Sequence, residues 1–324
     1  MIDLAIQLNA EGTADNENPY ATVGPMPTAA QEEQQKMSQK MLTAEIMATK
    51  QHDLLQSMTI QQQQIFTDNM ASLKWLNAFP HGAYNRLSDQ QVAANLNILQ
   101  LRSKTSGQIC QVCGNVNSIN EHETCRGCKI FSQQTHSRHN YIRDKIIINA
   151  AKDQRNIVQK EPLIYGNTPN PPNMQRADFS ILPKTGQPQH HHYYGMFDIM
   201  TKVVFSVHAS NAREASRIQA QLEGIVDPIK ICRKEIQASL HLGVAFKERK
   251  YAAVKAAGIK LTPLLISTGG SLHTTTFKFI KKTFPDETLR AKVLMDISVA
   301  LARGRANLYN DIPVVVDAPE DIQI

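Results

Sequence analysis

Gly195-Met-Phe-Asp-Ile-Met-Thr-Lys-Val-Val-Phe205 decides the fold. Its end is apolar at successive positions, so it reads as a strand covered on both faces and central in its sheet. Asp198 interrupts the run, and an aspartate in a strand centre is costly unless it is paired or bound to a cation. Upstream, Arg176-Ala-Asp-Phe-Ser-Ile-Leu182 alternates as a neighbouring strand in which Asp178 makes a similar interruption. Ile157 to Tyr165 reads as the strand before it. Leu261-Thr-Pro-Leu-Leu-Ile-Ser267 is a fourth, with proline near its beginning.

The segments between these strands carry helical periodicity. Two helices, about Asn211 to Ile225 and Arg233 to Ala257, precede the fourth strand, and Gly258 suits a helix C′ position. Gly269-Gly270 turns that strand into a helix through Phe277, Phe279 and Ile280, and a last helix spans about Asp286 to Arg303. Ahead of the first strand, Ser137 to about Asp153 reads as a helix with Ile142, Ile146, Ile147 and Ala150 inward and Arg138, Arg143 and Lys145 outward. Asn167 to Asn173 is a turn cluster, and His190-His-His192 a solvated loop. This order predicts an α/β domain with a mixed sheet.

Asp178 and Asp198 on neighbouring strands would form a hard oxygen site suited to Mg²⁺ or Mn²⁺, which polarises phosphate and activates water. A lysine is the expected third member, since it neutralises charge developing on phosphorus-bound oxygens. Lys247 and Lys250, one turn apart on the long helix, and Lys202, on the strand of Asp198, are the candidates. The bland alternative pairs each aspartate with an arginine such as Arg176.

Cys110-Gln-Val-Cys113 and Cys125-Arg-Gly-Cys128 present four thiolates at a spacing that tetrahedral Zn²⁺ accepts, with His122 an alternative ligand. Gly114 and Gly127 suit the tight turns of such a knuckle. Four of the five cysteines stand in metal spacing, which points to a reducing compartment, nuclear or cytoplasmic, and away from a disulfide framework. Directly after the knuckle, His136, Arg138, His139 and Arg143 could grip DNA phosphates at a helix N-terminus; equally, a histidine there could cap the helix or pack on the knuckle.

Residues 1–28 lack periodicity and read as a tail. From Ala29 to Leu76, Met37, Met41, Leu42, Ile46, Met47, Leu54, Leu55 and Met58 mark one or two amphipathic helices suited to intramolecular packing or to self-association. Ser88-Asp-Gln-Gln91 has capping-box spacing before a further helix. The 324 residues suffice for about two domains. No signal peptide or apolar window long enough for a membrane span is found. The net charge of +6 is compatible with a polyanionic partner without identifying one.

A series of motifs carries a family resemblance: Trp75-Leu-Asn-Ala-Phe-Pro80, Leu87-Ser-Asp89, Cys110-x-x-Cys-Gly114, His122-x-x-Cys125, Thr135-His-Ser-Arg-His-Asn-Tyr-Ile-Arg-Asp144, Glu161-Pro162, Arg176-Ala-Asp178, Phe197-Asp-Ile199, Lys247-x-x-Lys-Tyr251 and Thr262 to Gly270. Over about residues 73 to 310 this order resembles the region following the polymerase in LINE-type, non-long-terminal-repeat retroelement proteins. Those carry a zinc knuckle and a restriction-like endonuclease of the PD-(D/E)XK superfamily. The resemblance implies a nuclease that nicks target DNA so that the freed 3′ end primes reverse transcription, with DNA and possibly the element's RNA as partners.

By that resemblance Asp178 is the aspartate of the PD motif, with Ala177 in the proline's place. Asp198 is the second acid, with Met200 where the motif's lysine would stand. Lys247, Lys250 and Tyr251 match the signature on the following helix, and Glu161 is a further acid of the metal site. The expected organisation is a tail (1–28), a helical leader (29–106), the zinc knuckle (107–135), a restriction-endonuclease-like α/β domain (136–310) and a second tail (311–324). The rival expectation is a catalytically inactive nucleic-acid-binding or assembly protein with the same fold.

Overall fold

A computed structural model describes residues 29–71, 73–77, 86–99, 129–164, 176–184, 194–204 and 207–311. The expected N-terminal tail, the four knuckle cysteines with His122, the turn cluster at 167–173, the histidine run at 190–192 and residues 312–324 of the C-terminal tail lie outside the described residues. The chain divides into two compact units, Met1–Ser57 and Met58–Ile324.

In the first unit, helix α1 (Ala29–Ser57) presents Met41, Leu42, Ile46, Met47 and Leu54 to solvent. The second unit begins with α2 (Ile60–Met70), capped by a reciprocal box between Thr59 and Gln62. A short 3₁₀ turn, Leu73–Asn77, leads toward α3 (Asp89–Leu99). The expected capping box at α3 is present: Ser88 Oγ accepts from Gln91 N at 3.2 Å, and Gln91 Oε1 accepts from Ser88 N at 3.0 Å.

The sheet is mixed and four-stranded, in the order β1-β2-β3-β4: β1 (Asn156–Lys160), β2 (Phe179–Pro183), β3 (Gly195–Lys202) and β4 (Leu261–Ser267). The first two pairings are antiparallel, and β3 runs parallel to β4. Helix α4 (Lys129–Ala150) precedes β1. Helices α5 (Ser210–Leu222), α6 (Pro228–Lys250) and the short α7 (Ala252–Ala256) cross from β3 to β4, and α8 (Thr274–Thr283) and α9 (Glu287–Asp311) follow.

The pleat of β3 sorts its side chains between two cores. Phe197 and Ile199 enter the larger core with Phe179, Ile142, Ile146, Phe279 and Ile297, on the face covered by α4, α8 and α9. Its aromatic centre has Phe197 4.6 Å from Phe279 and 5.0 Å from Phe179, centroid to centroid. Met200 packs on the opposite face with Ile236, Leu240 and Val244 of α6. Successive side chains of a strand alternate, so Asp198 faces α6. β3 is interior in the sheet and covered on both faces, as expected, but it ends at Lys202: Val203 and Val204 of the expected apolar end lie beyond it, and Phe205 falls outside the described residues.

Several boundaries differ from the sequence reading. Helix α4 begins at Lys129, not near Ser137, so His136, Arg138 and His139 lie in its body. The positive end of a helix dipole acts only over the first turn, and it does not support them as an N-terminal phosphate grip. The expected outward face of that helix is also corrected: Arg138 and Arg143 are buried. The stem of Arg138 packs where α9 passes at Gly304, whose imagined Cβ would come within 2.8 Å of it. Helix α6 ends at Lys250, where Tyr251 leaves helical geometry, and α9 runs on to Asp311.

Candidate functional site

Asp178 stands immediately before β2, and its two polar ends embrace Asp198. The Asp178 backbone N–H donates to Phe197 O at 2.9 Å, on one side of Asp198. On the other side, Asp178 Oδ2 accepts the backbone N–H of Ile199. A carboxylate thus replaces a strand carbonyl as the partner of a central-strand N–H, which fixes Asp178 beside Asp198. The other oxygen, Oδ1, lies 3.0 Å from His139 Nε2 of α4. Arg176 does not pair with Asp178; its guanidinium donates to Glu161 O at 3.3 Å.

Asp198 is 6% exposed. Burial raises its carboxyl above the ordinary carboxylate range, the neighbouring Asp178 adds to the rise, and the Lys247 and Lys250 ammonium groups oppose it. Lys247 Nζ lies 2.5 Å from Asp198 Oδ2. The contact is an ion pair without the angular alignment of a hydrogen bond, because that oxygen has no aligned donor.

The long helix brings Lys247 to this place for local reasons. Asp227 caps α6, its side chain accepting from Ile229 N at 2.9 Å, and Pro228 starts the helix with a preset φ. One turn before Lys247, Gly243 presses on β4: a Cβ there would stand 2.3 Å from the Leu265 side chain. That close approach sets the height of the helix end above Asp198. Lysines in the last turn also complement the helix dipole.

Tyr251, 8% exposed, completes the cluster. Lys247 and Lys250 lie 5.8 and 5.1 Å from its ring centroid. Burial, then the negative Asp198 and Asp178, push its phenol well above the ordinary range. Lys202, the alternative candidate, turns away and donates to Ser239 O at 2.7 Å. Burial lowers its pKa, with Arg213 acting in the same sense.

Glu161 lies just past β1 with φ of 50°, a backbone conformation uncommon outside glycine. Its N–H donates to Asp178 O at 3.0 Å, which ties that backbone to the site, while its carboxylate accepts from Arg143 Nη1 at 2.7 Å. Arg143 also pairs with Asp144 at 3.0 Å. Of the expected site residues, Asp178, Asp198, Lys247, Lys250 and Tyr251 are therefore brought together, and Glu161 joins through its backbone. His139 belongs with Asp178, a contact that no sequence spacing announces.

Two aspartates held side by side make an all-oxygen donor set. Among the described residues no three His, Cys, Asp or Glu side chains form a metal cage. A Mg²⁺-like ion needs none, since it keeps several waters and takes one or two carboxylates with substrate phosphate oxygens. The buried Asp198 oxygen, matched only by an ion pair, fits that use. Among the described residues, no helix is long and apolar enough to cross a membrane.

No protein-family model matches this chain, and no curated protein matches it.

Proposed function

We propose that the chain is a retroelement-derived, divalent-metal-dependent DNA endonuclease with a restriction-like α/β domain, nicking DNA by phosphodiester hydrolysis. The observation that carries this reading is the bracketing of Asp198 by Asp178 with Lys247 against it. The mixed four-stranded sheet with its helical crossover is compatible with the α/β class that the resemblance implies.

Asp178 and Asp198 would hold the cation. Bound there, Mg²⁺ or Mn²⁺ supplies polarisation of a phosphoryl oxygen and a water of lowered pKa. Lys247 is placed to neutralise charge that develops on the phosphate oxygens as the substrate's P–O bond breaks. Tyr251 is kept protonated by burial and by the neighbouring aspartates, and His139 with Ile199 N–H orients Asp178. Zn²⁺ on Cys110, Cys113, Cys125 and Cys128 would be structural, in a reducing, nuclear or cytoplasmic compartment.

The exposed apolar side chains of α1 favour a second reading, an assembly protein in which the sheet is catalytically silent. Nicking of supercoiled plasmid in Mg²⁺ by the native chain and by Asp178→Asn separates the two. The nuclease reading requires native cleavage that the substitution abolishes; unchanged cleavage removes the assigned site, and absence of native cleavage favours assembly.

A further inference from the structure

With Arg138 and Arg143 turned inward, the site needs another cationic surface for its substrate, and one adjoins it. A cavity of about 260 Å³ opens beside Lys247 and Tyr251 and is lined by Lys255, Lys260 and Pro263, with Glu248 its one acid. The cavity shares Lys247 and Tyr251 with the aspartate cluster, and Pro263 is the β4 partner of Asp198. Lys255 and Lys260 are exposed, as are the nearby Arg249 and Lys250.

The backbone sets where Lys260 stands. Its carbonyl accepts from Met196 N at 3.1 Å, at the mouth of the parallel β3/β4 pair. Its aliphatic stem passes over Gly195, whose imagined Cβ would be 3.6 Å from it and whose φ of 152° suits glycine. Gly195 precedes Asp198 by three strand residues, on the order of 10 Å. That separation leaves room for a phosphate other than the one at Asp198.

We infer that the cleft between the end of α6, α7 and the start of β4 is a nucleic-acid phosphate subsite, in which Lys255 and Lys260 hold the backbone next to the scissile position. It rests on the nuclease reading of the adjoining site. Ammonium groups are point charges without the forked geometry that reads base edges, so the grip is independent of sequence. The cavity is also small and lacks an exposed aromatic platform for a base, in keeping with backbone contact.

The test is binding of fluorescent duplex DNA to the full chain in buffer without added Mg²⁺ over a salt series. Each lost phosphate contact removes about 0.9 from the slope of log K against log salt, so Lys255→Ala with Lys260→Ala should flatten it by about 1.8. Two unrelated duplexes should weaken by the same factor. The control pair Lys281→Ala with Lys292→Ala, exposed on α8 and α9, should leave the slope unchanged. An unchanged slope in the first variant, an equal change in the control, or loss for one duplex alone overturns the subsite. So does displacement of DNA by inorganic phosphate at constant ionic strength, which would make free phosphate the ligand. Because binding is read without Mg²⁺ and cleavage with it, the readings separate: a flattened slope from a chain that never nicks in Mg²⁺ supports the subsite and removes the nuclease.

Discussion

Lys247 Nζ sits 2.5 Å from Asp198 Oδ2 across the gap between α6 and β3, joining residues that are far apart in sequence. The ammonium is the main influence holding down a carboxyl that burial raises. Lys247→Met should lower the nicking rate by about 10²–10³, the scale of losing one group that stabilises the transition state. Without the ammonium the Asp198 pKa rises further. Activity needs the ionised carboxylate, so the acid limb of the pH–rate profile should move to higher pH. A limb that stays in place or moves down would show that Lys247 does not act on Asp198.

His139 holds Asp178 from α4 at 3.0 Å. Partners that orient metal-binding carboxylates typically matter by about 10–100-fold in metal affinity. His139→Ala should raise the Mg²⁺ concentration for half-maximal nicking by about that factor. The rate at saturating Mg²⁺ should fall much less. Loss of rate with no change in Mg²⁺ dependence would place the histidine on DNA instead.

Asp68 of α2 offers a test of stability. Its fully buried carboxylate accepts from Ser267 Oγ at 2.5 Å and from Gly269 N at 3.1 Å in the turn after β4. Burial raises its pKa, against the lowering by Ser267, Ser271 and Arg305. A folded-state pKa above the unfolded one means that its stabilising contribution is full below about pH 3.9 and is lost as pH rises through the folded value. Asp68→Asn keeps an acceptor and removes this titration. Its Tm relative to native should therefore increase from pH 4 to pH 7; a constant or falling difference contradicts the burial argument. Asp68→Ala, which strands the turn's donors, should cost about 1–3 kcal/mol at pH 4 in urea unfolding.

Thiol chemistry distinguishes the cysteines. Burial, followed by Glu235, pushes the Cys232 thiol up to about 11. At pH 8 only about one in a thousand is thiolate, so it should resist alkylation until the chain unfolds. A chelator should release one Zn²⁺ per chain and expose the other four thiols first. Five thiols reacting together without a chelator would remove the zinc knuckle.

Part of this arrangement was legible in the sequence. Strand β4 matched its predicted bounds because a short apolar run stands between Gly258 and Gly269-Gly270. Asp198 stood out because it breaks an apolar strand; Asp178, expected inside a strand as well, stands just ahead of β2. Gly243 did not, since only the packing of α6 on Leu265 reveals why glycine is needed there. The contact between His139 and Asp178 depends on how α4 crosses the sheet, which local periodicity does not encode. Arg138 misled because a long amphipathic stem can serve a packed interface as well as solvent; α9 covers it at Gly304.

In the proposed mechanism Asp178 and Asp198 act together on a phosphodiester. Conversion of supercoiled plasmid to open circle is followed for the native chain, for Asp198→Asn and for the native chain without added Mg²⁺, all at equal DNA binding. Mg²⁺-dependent nicking is expected from the native chain alone; nicking by Asp198→Asn at the native rate, or by the native chain without Mg²⁺, would overturn the assigned site.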